Sequence, residues 1–392
     1  MFFSKKKFLF GALAIGSMLL FGGCGGGDQP AASGGGEEII VGSNFELTGN
    51  QAAYGSNSNN GLKLALKEAN DAGGINGKKF KIVEADTKSE AAESVNAATK
   101  LISDDNVKVI VGPAVTANVI AESQVATENK IPIIAPDATN PDVTVENGEV
   151  KPYIFRSCFI DPQQGTVMAQ FAKDNLSAQT AVLYLDSSSD YSKSLGKVFR
   201  EKFEADGGQV LMEEFFLAKD QDFKATLTKI QTANADVIFV PAYYEEVGKI
   251  VKQARELGIT AAMLGTDGWD DPKVIDIAGA DALNNTFFCT HYFDKDEDVQ
   301  PFIEAYRKEY GNDPNVFAAL GYDAGKMLID AVQRGSDESE KIRDNLENIK
   351  DLKVGTGMIT MDPKTHNPIK GAVVIETKNG ERELRAKIAP EG

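Results

Sequence analysis

Val107–Ala135 reads VKVIVGPAVTANVIAESQVATENKIPIIA, and its reading decides the fold. The β-branched run Val107–Val111 is followed, after a short loop, by a stretch of helical character over Thr116–Asn129. Ile131–Ala135 is then a second short apolar run. Two short apolar strands on either side of one helix predict a βαβ unit in a parallel sheet covered on both faces.

The alternation extends both ways. Upstream, Glu38–Asn44 and Phe80–Ala85 read as strands. Between them Leu62, Ala65, Leu66 and Ala69 repeat at helical spacing and stop at Gly73-Gly74, a C-terminal cap. Val95, Ala98, Leu101 and Ile102 mark the next helix. Beyond Arg156 the pattern restarts, with strands expected at 180–185, 209–217, 236–240, 262–265 and 286–291 and helices between them. Helices at 298–310, 316–334 and 339–349 follow, then a β-rich segment at 357–377 with turn signals at Asp362-Pro363 and Lys378-Asn379-Gly380. The roughly 355 residues after position 37 exceed what one core usually holds, so two lobes are expected. Open α/β sheets that face each other place the loops after their strands around one cleft.

The N-terminus sets the compartment. Lys5, Lys6 and Lys7 precede an uncharged stretch, Phe8–Phe21, of 14 residues, too short to span a bilayer and suited to a signal segment over 1–23. Gly22-Gly23-Cys24 resembles a bacterial lipobox, although Phe21 stands where Leu is usual. Cys24 is therefore expected to carry lipid, and the Gly- and Ser-rich residues 24–37 to be a tether. Export to the outer face of the membrane, with a lipid anchor, follows.

The chain carries a formal charge of −17, and −20 without the leader's three lysines, which argues against nucleic acid as a partner. Beyond Cys24 the cysteines are Cys158 and Cys289, both expected near lobe crossings and either free or bridged. His291 and His366 are the only histidines, and neither has metal-ligand or triad spacing. Ser187-Ser188-Ser189-Asp190 is loop-like but has no histidine beside it in sequence. Neither a metal, a cofactor nor an enzyme activity is expected.

Eight short stretches carry a family likeness. They are Gly49–Gly55 (GNQAAYG), Asn70–Gly77 (NDAGGING), Val111-Gly112-Pro113, Ile133–Thr139 (IIAPDAT), Phe155-Arg156, Asp161–Gly165 (DPQQG), Ala254–Gly258 (ARELG) and Gly321–Ala324 (GYDA). In this order and spacing, over residues 38–377, the chain resembles the Leu/Ile/Val-type amino-acid-binding proteins of bacterial ABC importers.

The resemblance implies a type I periplasmic-binding-protein fold: α/β, with two doubly wound parallel-sheet lobes joined by a three-segment hinge near 156–160, 288–293 and 356–361. Lobe one would comprise 38–157 plus 291–357, and lobe two 158–290 plus 358–392. It further implies a monomer that delivers an amino acid, branched-chain or related, to an ABC permease; a sensory protein of the same fold is the alternative. Thr116, in place of the usual Ser, and Thr139 would hold the ligand carboxylate together with backbone N–H groups at a helix start, where the helix dipole favours an anion. Asp267 after strand 262–265 would face the ammonium. Tyr54, Tyr191, Tyr243 and Phe317 would form the walls. Asp137 stands where the family commonly has a small residue. Pointing away, it leaves the backbone carbonyl contact intact; pointing inward, it adds an anion and favours a ligand with an extra cation or hydroxyl. Trp269 is expected to reshape the side-chain pocket.

Overall fold

The computed structural model describes residues 38–389. The expected signal segment, Cys24 and the tether lie outside the described residues. The first sheet uses β1 (Glu38–Phe45), β2 (Lys79–Asp86), β3 (Val109–Val111) and β4 (Ile133–Ala135). A small hairpin, β5 (Val145–Glu146) and β6 (Glu149–Val150), precedes the last strand, β7 (Ile154–Arg156). The order is β2-β1-β3-β4-β7, all parallel. Helices α1 (Ala52–Asp71), α2 (Ala91–Ser103) and α3 (Thr116–Glu128) make the crossovers.

Strand β1 shows why the runs read as continuously apolar. Ile39 and Val41 pack into the core that holds α1, while Ile40 faces the core that holds Ala98 and Leu101 of α2. With both faces covered, polar alternation has no use.

The second sheet is built from β8 (Thr180–Asp186), β9 (Gln209–Phe216), β10 (Val237–Phe239), β11 (Ala262–Gly265) and β12 (Thr286–Thr290). Its helices are α4 (Asp161–Asp174), α5 (Asp190–Ala205), α6 (Lys224–Ala233), α7 (Tyr244–Glu256) and α8 (Lys273–Ala278). The chain then forms α9 (Gln300–Tyr310), α10 (Val316–Gln333) and α11 (Ser339–Glu347). Helix α10 lies along α1 at backbone contact: a β-carbon on Gly61 would sit 1.9 Å from the Ala318 carbonyl oxygen, and one on Gly321 2.0 Å from that of Ser58. This close approach explains the glycine of the GYDA stretch.

The C-terminal region departs from the sequence expectation in two ways. Strands β13 (Leu352–Val354), β14 (Gly357–Asp362) and β15 (Asn367–Ile369) form a separate antiparallel sheet packed against α10, α11 and β7, so residues 358–369 stay with the first lobe. The third crossing therefore falls at Lys370-Gly371, not at 356–361. Strands β16 (Ala372–Lys378) and β17 (Glu381–Ile388) then join the second sheet beside β12 as an antiparallel edge, giving β17-β16-β12-β11-β10-β8-β9. A tight turn at Asn379-Gly380 suffices there, because antiparallel neighbours need no crossover helix.

The first and third crossings are tied by one buried cation. Lys370 Nζ donates to the Ser157 carbonyl (2.9 Å), Thr356 Oγ1 (2.7 Å) and Asp323 Oδ2 on α10 (3.1 Å), which uses all three ammonium protons. Arg156, fully buried, holds the loop after β4 by donating to the carbonyls of Ala138 (2.7 Å) and Asn140 (2.8 Å). Cys158 and Cys289 are both buried and free.

Candidate functional site

The wall from the first lobe is set by the loops after β3 and β4. Helix α3 starts at Thr116, and the N–H groups just before it point at a carboxylate supplied by the chain itself. Glu46 accepts from Ala114 N (2.9 Å), Val115 N (3.4 Å) and Asn118 Nδ2 (2.7 Å). Burial pushes the Glu46 carboxyl up, and these donors oppose that shift. The N–H groups of Ala114 and Val115, on the loop just before the helix, are thus occupied by an acid that the end of β1 delivers.

Asp137 follows β4. Its Oδ2 accepts from Ser58 Oγ of α1 at 2.6 Å, whereas its buried Oδ1 has no partner within the protein. Burial pushes this carboxyl well up, and nearby Glu46 and Asp267 push in the same sense. Thr139 is buried one step behind, with its carbonyl accepting from Asp161 N (2.9 Å).

The second lobe's wall is organised around Asp267, in the helical turn that follows β11. Its N–H donates to Gln164 Oε1 (3.0 Å), Tyr191 OH donates to its Oδ1 (2.7 Å), and His291 Nε2 lies 3.4 Å from its Oδ2. Burial brings His291 down to about 4, so the ring is neutral at ordinary pH; it stacks on Phe159 at 3.6 Å. The Tyr191 and Tyr243 rings stack at 5.1 Å.

The two walls touch through Tyr54 of α1. Its hydroxyl donates to the Gly268 carbonyl (2.7 Å) and accepts from Tyr244 N (2.8 Å). Its ring lies 4.2 Å from that of Phe317.

Between the walls is a narrow gap. Of the residues expected from sequence, Tyr54, Thr116, Asp137, Tyr191, Tyr243, Asp267 and Phe317 line it, joined by Ala114, Val115 and Gly268. Thr139 does not line it. Trp269 does not either, and its expected role in the pocket is corrected. The indole lies against Gly265, donates from Nε1 to the Val240 carbonyl (2.8 Å) and borders a separate outer cavity of about 250 Å³. One turn of helix after Asp267 swings the next-but-one side chain to the opposite side.

Sequence reasoning missed Glu46, Gln164, His291 and Tyr244. Gln164 sits in a stretch already singled out, and His291 at an expected crossing; nothing in the sequence marked Glu46 or Tyr244. Among the described residues no group of His, Cys, Asp or Glu is placed to hold a metal ion.

A model of the periplasmic binding protein family matches residues 38–382. The chain belongs to that family. As a periplasmic binding protein it is 29% identical to Leu/Ile/Val-binding protein homolog 1 of Brucella abortus, over 96% of this chain and 97% of that one. The crystal structure of the leucine-binding protein LivK of Thermotoga maritima superposes with a TM-score of 0.84 at 36% identity, covering 90% of this chain and 99% of that one. The branched-chain amino-acid transporter substrate-binding protein LivJ of Streptococcus pneumoniae, solved with isoleucine, gives a TM-score of 0.84 at 36% identity, covering 91% and 100%. The type I fold of this periplasmic binding protein matches those structures.

Proposed function

We propose that this chain is the extracytoplasmic receptor of an ABC importer, closing on an amino acid of branched-chain or similar size and presenting it to the permease. The observation that carries this reading is the pairing across one gap: Asp267 on the second lobe faces Thr116 and the start of α3 on the first, with Tyr54, Tyr191, Tyr243 and Phe317 around them. An α-ammonium is the group that a buried carboxylate on one wall receives, and a carboxylate the group that a helix start and a hydroxyl receive on the other. The similarity to LivK and LivJ supports the same ligand class.

In this reading the hinge at 157–160, the return after Thr290 and Lys370-Gly371 lets the lobes part, and Tyr54 re-engages Gly268 and Tyr244 when they close. The chain acts as a monomer, exported and held to the membrane by lipid on Cys24, with no helix among the described residues long and apolar enough to cross it. Thermal unfolding with each of the twenty L-amino acids tests the ligand class. A true ligand at 100 times its Kd stabilises by about 2.7 kcal/mol, and a flat response to all twenty would overturn the amino-acid reading.

A further inference from the structure

The gap holds two carboxylates, and the ammonium assigned to it accounts for one. Asp267 belongs to the second lobe and is oriented by Tyr191 and His291. Asp137 belongs to the first, lines the same gap, and is 93% buried at its 7% exposure. Ser58 fixes one of its oxygens at 2.6 Å, and the other, Oδ1, is buried without a protein partner. Two of the tyrosine hydroxyls around the gap are already engaged. The Tyr54 hydroxyl bridges Gly268 and Tyr244, and the Tyr191 hydroxyl serves Asp267 and Thr266. No lysine or arginine lines the gap to neutralise Asp137.

We infer that Asp137 determines specificity by receiving a second hydrogen-bond donor, carried on the ligand's side chain. This rests on the amino-acid reading above and narrows it, from branched hydrocarbon to side chains that add a hydroxyl, amide or amine. Ser58 positions the carboxyl: by holding Oδ2 it leaves Oδ1 as the oxygen without a protein partner, free to accept from a ligand. A hydrocarbon side chain in this space would keep Oδ1 both desolvated and unpaired, which is the costlier state for a buried polar atom. Sites built to bond a polar group reject the analogue lacking it more strongly than apolar pockets reject an added hydroxyl.

Calorimetric titration of the full chain with the twenty L-amino acids tests the inference. The tightest ligand should carry a side-chain N–H or O–H donor. Within shape-matched pairs, threonine should bind at least about tenfold tighter than valine, and asparagine than leucine. Asp137→Ala should bring each pair within about threefold, and Ser58→Ala should shrink the preference without abolishing it. If valine or leucine equals or exceeds its polar partner in the wild-type protein, the inference is overturned while the amino-acid reading stands. If none of the twenty binds, both fall.

Discussion

The hinge and the cleft both bury ionisable groups, and they treat them differently. At the hinge Lys370 has three partners and its counter-ion Asp323 also accepts from the N–H of Thr356 at 3.2 Å. In and beside the cleft, buried polar atoms are left open: Oδ1 of Asp137 and Nε2 of Gln164. A satisfied buried network rigidifies, whereas an incomplete one is costly unless something else completes it. The contrast separates residues that hold the lobes' connection from residues that retain bonding capacity.

The largest effect is expected where the satisfied network is broken. Lys370→Met strands Asp323 in the interior and should cost about 3–5 kcal/mol of stability in urea unfolding. Adding Asp323→Leu should recover much of that loss, because the uncompensated charge is then gone. A cost under about 1 kcal/mol for the single variant would mean that water reaches this hinge.

In the cleft the test is affinity. Asp267→Asn keeps the shape but removes the charge opposite the ammonium, and should weaken the best amino acid by about a hundredfold or more in calorimetry. A loss below about tenfold would mean that no buried ammonium faces Asp267.

His291 links the two regions, since it follows β12 at the second crossing and reaches Asp267. Burial holds it near 4 against an ordinary 6.5, so between those values the unfolded chain carries a proton that the folded one lacks. Folding stability should then fall as pH drops from 6.5 to 4, with a slope of at most about 1.4 kcal/mol per pH unit. Burial raises Asp161 to about 7, with the opposite effect, so the comparison must be with His291→Gln, where Asp161 is common and cancels. Parallel pH profiles for the two proteins would remove His291 as the cause.

The smallest effect concerns closure itself. Tyr54→Phe deletes the hydroxyl between Gly268 and Tyr244, about 1 kcal/mol of support that exists only when the walls touch. Ligand affinity should fall about fivefold while unfolding of the ligand-free protein changes little. Equal losses in both measurements would show that the contact supports the fold at large.

The candidate site was largely legible because its residues follow strands. Thr116, Asp137 and Asp267 each come just after a short apolar run, and in a parallel sheet such positions gather at one edge. Asp137 was legible as a departure, but not whether it faces inward. Glu46 was not legible, since its role depends on Ala114 and Val115 lying beside it across 68 and 69 positions of chain. Trp269 was misread because two positions beyond Asp267 is close in sequence yet on the other side of a helical turn.

By itself the sequence determined the βαβ alternation, the existence of two sheets and the order of the site-bearing loops. Strands buried on both faces must be apolar throughout, and the helices between them must repeat at their own period, so both leave marks on neighbouring residues. Only the tertiary structure decided which sheet each C-terminal strand joins. Strands β14 and β16 read alike, yet they lie in different sheets, and between them Lys370 turns inward to Asp323. It also decided which polar atoms are satisfied and which remain open. Hydrogen bonding between distant segments depends on where packing brings them, and local periodicity carries no record of that.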